Sequence, residues 1–113
     1  MVHDQAHQLA RALKASREYK EFKAAREKLE QNETSLKIFL DLQAKQLELQ
    51  TTQMSGKEVS PEKKAELEKI VGLLEFHPTV QKYLQAEYQF FRIMEDVHKI
   101  VSDTLDLRPL KTD

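Results

Sequence analysis

The first 55 residues contain neither glycine nor proline. They are written mostly in Ala, Leu, Glu, Lys, Gln and Arg, the residues that lose least on entering a helix. Nowhere does the chain show the alternation of a half-buried strand bounded by turn residues. The sequence therefore specifies an all-α fold.

Two breaks punctuate the helical pattern. The first is Met54-Ser55-Gly56-Lys57-Glu58-Val59-Ser60-Pro61-Glu62. Gly56 suits the left-handed position that ends a helix. Ser60 suits an N-cap, and Pro61 the first helical position after it. The second break is His77-Pro78, because proline disfavours helix at the residue before it. Weaker boundaries lie at Ser16 and at Asn32-Glu33-Thr34-Ser35, which offer cap residues. The expected helices cover 3–15, 17–31, 34–55, 61–76 and 78–105. The first two are either separate or one kinked helix. They form one helical domain over 1–105, followed by a C-terminal tail, 106–113, that contains Pro109.

A length of 113 residues suits a single domain. The two long helices would be rods of roughly 33 and 40 Å at the α-helical rise. A compact domain of this length has a radius of gyration of only about 13 Å. Rods of that size project unless something covers them. Leu36, Leu40, Gln43, Leu47, Gln50 and Met54 follow the 3.5-residue period of a coiled-coil seam. A second row, Phe39, Leu42, Gln46, Leu49 and Gln53, runs beside it. On the last helix Val80, Leu84, Glu87, Phe91, Met94, His98, Val101 and Leu105 keep the same period. Tyr83, Phe90, Val97 and Ile100 widen that stripe to about half the circumference, enough for more than one neighbour. The expected architecture is an antiparallel bundle of about five helices that dimerises through the two long ones. The expected interface is Leu36, Leu40, Leu47, Met54, Leu84, Phe91, Met94 and Val101. Glu87 and His98 are the polar positions expected to be buried in the seam.

Composition excludes several chemistries. There is no cysteine, so no disulfide scaffold, Cys-ligated zinc or Fe–S centre, or catalytic thiol. Only two glycines are present, too few for a phosphate-cradling loop. No apolar run approaches a membrane span, and the N-terminus lacks a signal-peptide pattern, so the default expectation is a cytoplasmic protein. Lys and Arg total 18 against 19 Asp and Glu, a net charge of −1. Such a balance does not drive non-specific binding to a polyphosphate.

Each chemistry-bearing group has a structural reading beside its functional one. His3 and His7 share a helical face, as metal pairs do, but Asp4 is the one further ligand nearby; no metal or cofactor is expected. A carboxylate at Glu87 needs a partner or a raised pKa when buried. A cross-bundle hydrogen bond or salt bridge explains it better than catalysis, since no second catalytic group accompanies it. His98 reads as an interface residue before a pH switch. The glutamines 43, 46, 50 and 53 fit either register-setting layers or a solvated face. Arg11, Lys14, Arg17, Lys20, Lys23 and Arg26 recur every three residues, within a segment, 11–28, carrying seven bases and three acids. Steps of three wind around a continuous helix instead of lining one face. This argues against nucleic acid, and direct RNA binding through 11–28 is the alternative function. No enzymatic arrangement is evident.

The run from Leu47 to Ser60, with Gln53-Met54-Ser55-Gly56 at its centre, resembles the "LQxxQMxGxExx" connector of the YheA/YmcA/YlbF-like family of small helical Firmicute proteins. His77-Pro78 through Ala86-Glu87 is similar to that family's "NPxxxxxxxAE" helix start. Val97-His98-Lys99-Ile100-Val101 stands where "LNKII" is common, and Leu13-Lys14-Ala15-Ser16-Arg17-Glu18-Tyr19 resembles its "LxxSxEY" opening. The likeness covers nearly the whole chain and looks strongest to the YheA branch. It implies a helical, oligomer-forming cytoplasmic protein without an active site. Two other branches act as accessory regulators of RNA maturation, which implies protein partners in the RNA-processing machinery. The Fe–S cluster of some relatives has no cysteines here to hold it. The expected function is a non-enzymatic protein–protein interaction module of regulatory type, acting as a homodimer.

Overall fold

Most helix ends are set by a side chain or turn visible in the sequence. The computed structural model describes residues 1–110, in the order α1 (Val2–Ala15), α2 (Arg17–Gln31), α3 (Glu33–Met54), α4 (Pro61–Leu73) and α5 (Pro78–Leu105). Residues 111–113 of the expected tail lie outside the described residues. No strand occurs among the described residues.

Ser16 separates α1 from α2 with an extended backbone, φ −68° and ψ 150°. Its Oγ accepts from the Tyr19 N–H at 3.1 Å and donates to the Leu13 carbonyl at 2.6 Å. One hydroxyl thus ends one helix and starts the next. The two expected helices are therefore separate. Asn32 caps α3 through Oδ1, which accepts from the Ser35 N–H at 3.0 Å. Gly56 takes φ +79°, and the Lys57 N–H reaches back to the Thr52 carbonyl at 3.2 Å, a Schellman ending. Ser60 caps α4 by accepting from the Lys63 N–H at 3.2 Å.

Two ends differ from expectation. The last turn expected in the fourth helix tightens into a 3₁₀ turn, Leu74–Phe76. His77 must stay out of the helical region ahead of Pro78, and 3₁₀ bonds are a common way to close the turn before such a stop. At the other end, α5 stops at Asp106, a non-glycine residue with φ 52°. The Leu107 N–H bonds to the Ser102 carbonyl at 3.2 Å, satisfying one of the orphaned carbonyls.

The helices pair in two antiparallel sets, α2 with α5 and α3 with α4. They meet at a small core of Leu29, Val80 and Tyr83. Phe22, Ala25, Leu36, Ile38, Phe39, Leu74 and Leu84 pack around it. An aromatic file along α2 and α5 extends that core. Phe22 lies 5.5 Å from Phe90 and 5.8 Å from both Tyr83 and Phe91, and Phe39 meets Tyr83 edge-on at 5.0 Å. Such pairs add to simple area burial. Leu42 and Ile70 are buried on α3 and α4. Lys45 pairs with Glu66 at 3.1 Å, and Lys63 with Glu48, across the same helix pair.

The outcome is flat and open. The Cα envelope measures 50 × 46 × 17 Å, with a radius of gyration of 18.4 Å. A compact chain of this length would have about 13 Å. Among the described residues, α1 touches no element except α2. The antiparallel pairing matches the expected bundle, but the helices spread from a shared centre instead of closing around it.

Candidate interaction surface

The openness leaves a large area for a partner. The accessible surface is 9542 Å². A compact monomer of 13.2 kDa would expose about 6400 Å². The excess of roughly 3000 Å² exceeds the about 1000–2500 Å² that one chain contributes to a typical obligate interface.

Much of the excess is apolar and lies on identifiable faces. On α3 the two rows part company. Phe39, Leu42 and Leu49 turn inward, with Leu42 fully covered, while Leu40, Leu47 and Met54 face solvent. Leu47 is 63% exposed and Met54 81%. Leu40, Gln43, Ala44, Gln46, Leu47 and Gln50 line a shallow groove along this outer face. Gln43, Gln46, Gln50 and Gln53 are all exposed and form no buried layer within the chain.

On α5 the apolar stripe changes role halfway along. Val80 is completely buried, and Tyr83 and Ala86 nearly so. Beyond Phe90 the helix outruns α2, and Phe91, Met94, Ile100, Val101 and Leu105 are exposed. Leu36 and Leu84, expected at the interface, are half-buried against the Leu29–Val80–Tyr83 core within the chain. They lie where α3 and α5 approach α2, which consumes those seam positions within the chain.

The polar seam residues divide similarly. Glu87 is half-buried, and its carboxylate lies beside the Tyr83 phenol one turn earlier. Burial and this carboxylate push the Tyr83 pKa up to about 12, since both disfavour the phenolate. This neighbour of Glu87 is on its own helix, whereas a cross-bundle partner was expected. His98 is not buried in the chain. It stands on the exposed distal half of α5, with Ser102 Oγ 3.5 Å from its Nε2. Among the described residues no helix reaches that level, so within one chain His98 stays open to solvent.

His3 and His7 lie exposed on α1, and among the described residues no three His, Asp or Glu groups are placed to hold a metal. The basic segment is divided by the turn at Ser16 and partly neutralised. Arg26 pairs with Glu30 at 3.0 Å, and Arg17 lies 3.8 Å from Glu21. Lys14, Lys20 and Lys23 surround one shallow depression beside Tyr19. Among the described residues no helix is long and apolar enough to cross a membrane.

One face was missed in the sequence. Val2, Ala6, Leu9 and Leu13 make an apolar stripe along α1, and no residue of α1 is buried. Their spacing of four, three and four residues was the available signal.

Comparison with known proteins agrees with this geometry. A family model described as control of competence regulator ComK, YlbF/YmcA, matches residues 2–106. A UPF0342 protein of Caldicellulosiruptor saccharolyticus is 36% identical over 107 residues, covering 95% of this chain and 89% of the relative. A UPF0342 protein of Symbiobacterium thermophilum is 39% identical over 106 residues, covering 94% of this chain and 95% of the relative. A solved structure, a protein of unknown function (DUF964) from Bacillus stearothermophilus, superposes with a TM-score of 0.78 at 26% identity, covering 93% of this chain and 92% of that one. With all five helices inside the matched span, the chain belongs to the YlbF/YmcA family.

Proposed function

We infer that the protein is a non-enzymatic interaction module of regulatory type, which works as a homodimer and docks a further protein on the outer face of α3. The observation that carries this reading is the exposed row of Leu40, Leu47 and Met54, apolar side chains interleaved with glutamines on the outer face of α3. Contiguous apolar surface beyond a few hundred Å² marks interaction sites in soluble proteins. The family description as a competence regulator supports a regulatory role. By analogy with the regulatory branches, the docked protein belongs to the RNA-processing machinery.

The test is a tagged pull-down from a lysate of the native host, with and without nuclease, comparing the wild-type chain with Leu47→Asp. Recovery of an RNA-processing protein that survives nuclease and is lost with Leu47→Asp supports the reading. Recovery that nuclease abolishes, together with salt-sensitive RNA binding by the purified chain, would favour the RNA alternative through Lys14, Lys20 and Lys23.

A further inference from the structure

We propose that two copies exchange their first helices, α1 of each chain lying antiparallel on the distal half of the other's α5. This rests on the self-association inferred above and names its geometry. The register of α2 on α5 supplies the argument. Leu29 packs with Val80 at one end, and Tyr19 meets Phe90 at the other. Moving back along α2 therefore moves forward along α5, nearly residue for residue. Carried past Ser16, that register sets Leu13 at the level of Val97, Leu9 at Val101 and Ala6 beside Leu105, with Val2 just beyond the end of α5.

These are the apolar positions left open on both helices. Leu9, Val2, Val101 and Leu105 are all exposed, and Leu13 and Val97 only half-covered. In this register about 16 Å of the roughly 21 Å α1, Gln5–Ala15, runs along α5 before that helix ends at Leu105. Lys14 of α1 comes level with Glu95 and Asp96 and His7 with Asp103, while Arg11 comes level with Lys99 and Asp4 with Asp106.

A straight α1–α2 helix would place α1 there within one chain. The Ser16 turn, with its two hydrogen bonds, points α1 away, leaving both faces uncovered. A second copy restores the pairing without undoing the turn, and exchange of an identical element is a low-cost route to a dimer. The roughly 3000 Å² of surplus surface per chain is ample for such an interface.

The natural chain has no cysteine, so an engineered pair reads cleanly. A tagged Leu9→Cys chain and an untagged Val101→Cys chain would be refolded together and mildly oxidised, with a Leu13→Cys and Val97→Cys pair as a second register. Light scattering on the wild-type chain and on Leu9→Asp accompanies the cross-linking. The expected results are a covalent heterodimer, a wild-type mass of two chains, and a single-chain mass for a still-helical Leu9→Asp. Because α1 has no buried residue, that variant keeps its core. A wild-type dimer in which neither pair cross-links overturns the exchange and leaves the interaction reading standing. A wild-type mass of one chain also overturns it. So does a disulfide closing within one chain when Leu9→Cys and Val101→Cys are combined. Loss of a docked protein with Leu47→Asp is read separately, so failure of the wider reading is distinguishable.

Discussion

Tyr19 and Phe90 meet edge to face, their ring centroids 5.4 Å apart, at the amino-terminal end of α2. Three residues on, Phe22 stacks on Phe90 and touches Phe91 and Tyr83. This file joins the two helices that carry most of the core. Replacing Phe22 with Ala removes three aromatic contacts at once. The expected cost is about 3 kcal/mol, the lower part of the range for Phe→Ala because Phe22 is half-buried. Urea unfolding followed by circular dichroism measures it.

The Ser16 hydroxyl serves two helix ends, so Ser16→Ala loses both hydrogen bonds. Loss of an N-cap typically costs about 1 kcal/mol. The variant should melt a few degrees lower while keeping its helix content. An unchanged melting temperature would mean that the turn is held by packing alone.

Tyr83 makes stability depend on alkaline pH. Its folded pKa is about 12, against 10.0 for the free side chain. Between those values the folded chain keeps a proton that the unfolded chain has released. The unfolded state binds fewer protons, so stability falls as pH rises through this window. The contribution is fully present below pH 10. Tyr83→Phe should flatten the alkaline slope measured by denaturant unfolding at a series of pH values.

The ion pairs between α3 and α4 make a contrasting prediction. Lys63 holds the Glu48 carboxyl below its usual pKa, and Glu66 holds Lys45 above its own, yet these groups are open to solvent. Exposed pairs are screened by salt and contribute little. Combining Lys45→Ala with Lys63→Ala should leave the thermal midpoint nearly unchanged, and raising the salt to about 1 M should not open the α3–α4 pair.

Much of this fold is legible in the chain because its boundaries are local chemistry. Ser16, Asn32, Gly56, Ser60 and Pro78 each act within a few residues, and each marks a real helix end. The end of α5 is less legible, since Asp106 adopts a left-handed conformation that glycine usually advertises. The choice between the two rows of α3 was not legible. Leu42 and Leu47 are equally apolar, and only the packing of neighbouring helices along one side of α3 decides that Leu42 is buried and Leu47 exposed. For the same reason the sequence could not say that Leu36 and Leu84 pack partly against the core of their own chain. His98 shares a seam with Val80, but periodicity cannot say where a neighbouring helix stops. The stripe on α1 was visible in its spacing and gained meaning only when the turn at Ser16 left it without a neighbour.

The central claim is that this open chain finishes its fold with protein surface. Size-exclusion chromatography with light scattering, at tens of micromolar, tests it most directly. The account predicts a mass of two chains, twice 13.2 kDa. A single-chain mass, with a radius of gyration near the 18.4 Å of the open form, would contradict it.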